Sequence, residues 1–195
     1  PRQFGKLIEL RLGIEVLAPD NLTTPAAGSR PWAGALSVGM HSHFQHKGTE
    51  FAVGSSLFVT GPQTRLGMLQ REFHDLIGDN PPTALTLNNQ IGNGFHPTVL
   101  IEAGRSVGLG ENRTFRPFIQ GQAGIETMMR AGFDLTFGSV GTDALLVRDG
   151  TSGHRYRVIQ NTRNTGFSFV AGADIAYVRE STFLPESRGY TLTDH

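Results

Sequence analysis

Hydrophobic and polar positions alternate along most of this chain with a period of two. From Lys6 to Leu17, Ile8, Leu10, Leu12, Ile14 and Val16 fall on one side while Glu9, Arg11, Gly13 and Glu15 fall on the other. That predicts a strand with one dry face. Trp32 to Gln45 repeats it, with Trp32, Leu36, Val38, Met40 and Phe44 opposed to Ser37, Gly39, His41, His43 and Gln45. After a turn at His46-Lys47-Gly48, Thr49 to Thr60 reads as the antiparallel partner, Phe51, Val53, Leu57 and Val59 facing one way and Glu50, Gly54 and Ser56 the other. Strands are expected again over Thr98 to Leu109 and Thr114 to Glu126, a hairpin joined through Gly110-Glu111-Asn112, and over Met128 to Ser139 and Phe167 to Val178. Ala144 to Arg148 and His154 to Ile159 bracket a turn beginning Asp149-Gly150, a strong hairpin signal. Gly189 to His195 reads as the start of a further strand.

One stretch breaks this rhythm. In Gln63 to Gly78 the apolar residues Leu66, Leu69, Phe73, Leu76 and Ile77 recur at intervals of three and four, a helical stripe about 100° wide. A helix is therefore expected at about 63–77, bounded by Gly61-Pro62 and Gly78. Gln70 and His74 sit one turn apart on it, side by side. The Pro/Asn/Gly-rich stretch Asp79 to Pro97 reads as a loop long enough to need a functional or docking role.

Composition narrows the classes. With 195 residues the chain reads as a single domain, 1–195, and it opens on Pro1 without an initiator Met or a signal-like leader, as expected of a processed protein or a fragment. Seventeen basic and seventeen acidic residues cancel, which removes the electrostatic case for nucleic acid. The absence of cysteine removes disulfides, thiolate metal sites and cysteine nucleophiles together. No run approaches the roughly 18 apolar residues of a spanning helix. Any membrane role must come through strands or a surface helix.

About eight long strands fit either a soluble sandwich or barrel or a transmembrane β-barrel. Strand length, polar faces dense in Gly, Ser, His and paired charges, and aromatics near strand ends favour the second. A closed barrel can satisfy every backbone group in a bilayer, and an open sheet cannot. An Arg on the lipid side at mid-membrane costs roughly 2–4 kcal/mol, and the apolar face from Ile8 to Val16 carries no charge.

Four segments carry a family resemblance. Arg30-Pro31-Trp32-Ala33-Gly34, Val59-Thr60-Gly61-Pro62, Gln70-Arg71-Glu72-Phe73-His74 and Asn89-Gln90-Ile91 occur in an order and spacing that resembles the lipid A 3'-O-deacylases, the LpxR-like outer-membrane proteins. Together they cover roughly Ser29 to Gly92, with weaker similarity to about Arg179. The resemblance implies an all-β, antiparallel transmembrane β-barrel, present here as about eight strands of an expected twelve, with one short helix on a loop excursion. It also implies calcium-dependent hydrolysis of the 3'-linked acyloxyacyl ester of lipid A, the lipopolysaccharide anchor, in the bacterial outer membrane.

In that frame His74 would be the general base, since an imidazole titrates near operating pH and can take a proton from an attacking water. Gln70 would orient that water or the substrate, or donate to the developing oxyanion. Arg71 would contact a lipid phosphate. Asp79, one residue from the spacing expected of an acidic ligand, is the candidate for calcium. Two departures stand out: Ser29 replaces the usual acidic residue, and the family's Asn-Asp pair belongs to a strand upstream of Pro1.

Plainer readings compete with each of these. His74 could be an interface histidine on an amphipathic helix, and Gln70, Glu72 and Asp75 could simply solvate it. His41 and His43 share a face, which a polar barrel interior explains without a metal. Gly104 to Gly110 precedes no helix and reads as a strand end and turn rather than a phosphate loop. No GxSxG elbow is present, so an activated water is preferred to a serine nucleophile. The rival functions are a non-catalytic structural or pore-forming barrel and a soluble lipid-binding β-domain.

Overall fold

The structure is a computed structural model, and it describes residues 3–26, 28–138, 145–148, 153, 155–159 and 167–184. The long strands are β1 (Ile8–Leu17), β2 (Ala33–His46), β3 (Thr49–Thr60), β4 (Gly94–Gly104), β6 (Arg113–Ala123), β7 (Glu126–Gly138) and β10 (Ser168–Ser181). They form one curled antiparallel sheet in the order β1-β2-β3-β4-β6-β7-β10, with the two-residue β5 (Val107–Gly108) added to β6. The result is an open half-barrel whose outer strands are β1 and β10. A separate hairpin pairs β8 (Leu145–Arg148) with β9 (Arg155–Ile159).

Register keeps one face continuous around this wall. Ile14 pairs with Leu36, Leu36 with Val59, and Val59 with Phe95; further round, Ile119 pairs with Ala131 and Ala131 with Ile175. Paired residues project to the same side, so these rows make a single outward apolar surface. Leu12 is 75% exposed and Ile175 74%, which only a hydrocarbon neighbour makes favourable in such numbers. Charged residues on this side sit at strand ends, Arg113 on β6 and Glu180 beyond a bulge on β10. Outward aromatics mark both rims: Phe95 and Tyr177 at the end where α1 (Leu66–Ile77) emerges, Phe137 and Phe169 at the other.

The inward face is polar at one end and dry at the other. Ala33, Ala35, Ile91, Ile125 and Phe183 cluster at the α1 end, with Leu17 and Phe58 packed against them. At the opposite end Glu50, Glu102 and Asp134 from three strands meet Arg116 from β6, which lies 2.7 Å from Glu50, 2.9 Å from Glu102 and 3.6 Å from Asp134. The hairpin reaches into this cluster. Arg148 contacts Glu102 at 2.9 Å and Asp134 at 2.8 Å, donates to the Gly153 carbonyl at 2.6 Å, and stacks on the Phe118 ring at 3.4 Å. Arg155 adds contacts of 3.6 Å to Asp134 and 3.8 Å to Glu50. Burying charge is costly unless it is paired, and here three carboxylates face three guanidiniums.

Several boundaries differ from the sequence expectation. The helix begins at Leu66, three residues late, because Pro62–Thr64 forms a separate 3-10 turn and Arg65 adopts a left-handed conformation at φ 58°. Gly61 before it has φ 86°, and a Cβ there would meet the Gly92–Asn93 backbone at 2.5 Å, so only glycine fits. The expected loop Asp79 to Pro97 contains a second helix, α2 (Ala84–Asn88), and β4 already starts at Gly94. Trp32 is not a lipid-facing aromatic: it precedes β2 and is 1% exposed. The hairpin about Asp149-Gly150 forms as expected, its turn at 149–152 lying outside the described residues, as does the strand expected at Gly189 to His195.

The two faces should respond unequally to charge. Val99 points outward at mid-strand, while its neighbour Leu100 lines an inner cavity of about 440 Å³ together with Arg11, His41 and Gln122. Val99→Arg is expected to destabilise the full-length protein in lipid vesicles by roughly 2–4 kcal/mol, and Leu100→Arg by much less. Urea titration of the bilayer-embedded protein, followed by far-UV circular dichroism, checks the difference.

Candidate active site

The site is built on α1, and α1 is seated on the outside of the wall. Gly34 pairs with Val16, so it lies on the outward row. A Cβ at Gly34 would come within 2.7 Å of the Trp32 ring and 3.1 Å of Leu66 Cβ, which places Trp32 and the first turn of the helix over that glycine. Gly67 follows the same logic, its missing Cβ leaving room for Leu87. Leu66 and Gly67 are the buried residues of the helix, and together with Gln70 and His74 they turn towards the wall.

Gln70 is held by the indole. Trp32 Nε1 donates to Gln70 Oε1 at 2.6 Å, and with the carbonyl end so engaged the amide NH₂ is left to donate elsewhere. His74 is held by the end of its own helix. Gly78 takes the left-handed conformation at φ 74°, and Asp79 N–H donates back to the His74 carbonyl at 3.0 Å. This reversal brings the Asn80 carbonyl to 3.0 Å from His74 Nδ1 and Asp79 Oδ2 to 3.6 Å. A carbonyl oxygen only accepts, so Nδ1 carries a proton, and in the neutral ring the lone pair is on Nε2. The His74 side chain is 15% exposed, against 61% for Asp79.

The structure thus places Asp79 beside His74, with Gln70 one helical turn earlier on the same side of α1. Arg71 is exposed, further round the helix on the side away from the apolar stripe. Asp79 works first as a neighbour of the histidine, since its other oxygen accepts from Asn80 N–H at 2.7 Å. Among the described residues no group of three or more His, Asp or Glu side chains could hold a metal ion. His41 and His43 are buried inside the barrel, His43 Nε2 lying 2.9 Å from Glu9 Oε2. Two groups that hold this pair escape the sequence reading. Trp32 was placed on the dry face by parity alone, although it lies within the Arg30 to Gly34 motif, and the Asn80 carbonyl carries no side-chain signal at all.

A wall apolar outside, charged inside and ringed with aromatics, with a polar His/Gln pair on an external helix, defines the class: a β-barrel outer-membrane protein bearing a candidate catalytic site. The family follows from comparison. A model of the family "Outer membrane protein LpxR" matches residues 2–190, and the chain belongs to that family. The fold is similar to that of LpxR from Salmonella typhimurium, with a TM-score of 0.74 at 16% sequence identity over 89% of this chain. The chain spans 61% of the length of that protein. No curated protein matches the sequence. Family and fold together set aside the soluble lipid-binding alternative.

The seat at Gly34 is open to test through Trp32, the only tryptophan in the sequence. Gly34→Val is expected to push the indole and Leu66 apart at an overpacking cost of roughly 1–3 kcal/mol. Red-shifted emission and increased acrylamide quenching of Trp32 fluorescence would report the lifted helix, whereas unchanged emission would argue against this seat.

Proposed function

We propose that this protein hydrolyses the 3'-linked acyloxyacyl ester of lipid A in the outer membrane, with water activated by His74. The observation that carries the reading is the orientation of His74: Nδ1–H is committed to the Asn80 carbonyl, which leaves Nε2 as the base, on a helix fixed to the lipid-facing side of the wall. Family membership supports lipid A as the substrate class.

In this mechanism Nε2 takes a proton from a water as its oxygen attacks the ester carbonyl. The Gln70 NH₂, pre-oriented through Trp32, donates to the oxyanion that develops. The tetrahedral intermediate then collapses with cleavage of the acyl carbon–oxygen bond, and the departing sugar oxygen recovers the proton from the imidazolium. Asp79 steadies that imidazolium from 3.6 Å, weakly, because its carboxylate is mostly in solvent. Arg71 supplies a cation for a lipid A phosphate.

Calcium is part of the proposal only as a requirement to be measured. The ion takes six to eight oxygen ligands, and among the described residues Asp79 is the carboxylate paired with His74. Among the described residues the donors set there do not complete such a shell, so no step is routed through the ion.

The test uses full-length protein with lipid A in mixed vesicles, read by mass spectrometry. Loss of the 3'-linked chain is expected, falling about 10²–10⁴-fold in His74→Ala and about 10²–10³-fold in Gln70→Ala. Unaltered lipid A, or equal cleavage by His74→Ala, would overturn the reading. Chelation with EGTA, then calcium add-back, decides the metal requirement separately: activity unaffected by EGTA removes calcium and the metal role of Asp79 while leaving His74 in place.

A further inference from the structure

We propose that α1 is an interfacial membrane helix, its apolar flank immersed in the acyl chains of the leaflet beside the barrel rim. Beyond Leu66, which is buried against the wall, the stripe that marks this helix in the sequence does not pack inside the protein. Leu69, Phe73, Leu76 and Ile77 are 57%, 56%, 83% and 56% exposed, although each is large and apolar. An amphipathic helix on a soluble domain turns such a stripe to the core, so its exposure here calls for another apolar partner.

The arrangement around the helix axis identifies that partner. At about 100° per residue, the wall-facing row of Leu66, Gln70 and His74 has Leu69, Phe73 and Leu76 on one flank and Arg71 and Asp75 on the other. The helix therefore lies along the wall with one apolar flank and one charged flank, its amphipathic axis turned sideways to the wall. That is the geometry of a helix lying in the interface plane, where one side meets hydrocarbon and the other meets head groups and water.

Continuity with the lipid-facing surface settles the occupant. The first turn of α1 rests over Gly34, on the same outward face as Val16, Val59 and Phe95, and Phe95 is itself 67% exposed at this rim. The apolar flank extends the band that the strands already present to the bilayer. This inference rests on the barrel's place in the membrane and is independent of ester hydrolysis, so an inactive protein would leave it standing.

The sequence contains no cysteine, which permits single spin labels. Nitroxides would be attached at Leu69→Cys, Leu76→Cys, Glu72→Cys and Asp75→Cys in the full-length protein reconstituted in bilayers, with Leu12→Cys on the wall as the lipid reference. Collision with oxygen, which concentrates in hydrocarbon, is compared with collision with a water-soluble nickel chelate. At Leu69 and Leu76 the oxygen-to-nickel ratio is expected to match that at Leu12 and to exceed that at Glu72 and Asp75 several-fold. Nickel-accessible labels at all four helix positions would overturn the proposal in favour of a solvated helix. Low access of both probes at Leu69 and Leu76 would overturn it in favour of cover by another protein segment. Should a label prevent folding, judged by loss of the heat-modifiable band, Phe73→Trp with brominated lipids gives the same reading: quenching above the buried Trp32 background is expected, and its absence counts against lipid contact.

Discussion

A strand in hydrocarbon has no water to satisfy its peptide groups, so each must be paired with a neighbouring strand, and the remaining features of this protein follow from that requirement. Antiparallel pairing along β1-β2-β3-β4-β6-β7-β10 fixes the register, and fixed register divides the side chains of these strands between two faces. Moving one strand by one residue would send Glu9, Arg11 and Glu15 into lipid and Leu10, Leu12 and Ile14 into the lumen. The wall has one workable alignment, and the sites on it inherit their positions from it.

Those positions include the catalytic candidate. Gly34 belongs to the outward row only because of that register, and its lack of a side chain is what lets Trp32 and Leu66 close over the wall. Trp32 then holds Gln70, and the left-handed Gly78 folds the helix end back so that Asn80 holds His74. Two glycines and an indole thus fix two side chains that share one helix. The chemistry is local, but its location outside the barrel rather than over the lumen is a property of the sheet.

The sequence displayed this architecture unevenly. Strands with charge on one face only, such as Ile8–Leu17 and Thr49–Thr60, were legible because a two-residue period has no competing explanation. The helix was legible from its stripe, yet its partner was not, since periodicity says that a face is apolar and not what covers it. Trp32 was misplaced for the converse reason: parity was extended past the residue where the strand begins. α2 is five residues long, too short for any period to establish. Gln70 and His74 are singled out by motif and spacing, whereas the groups that orient them act through a distant indole and a backbone carbonyl, neither of which leaves a local pattern.

The inner hairpin bears on the charge balance of the wall. Without Arg148 and Arg155, the wall around Arg116 holds three carboxylates, Glu50, Glu102 and Asp134, against one guanidinium. An unfilled wall would be a hydrated, cation-attracting trough. Arg148 and Arg155 of the seated hairpin balance that charge, so the electrostatic gain requires strands and hairpin to be present together. The wall is thus shaped as a receptor for its own insert, and the insert ties three strands of that curve together through Glu50, Glu102 and Asp134.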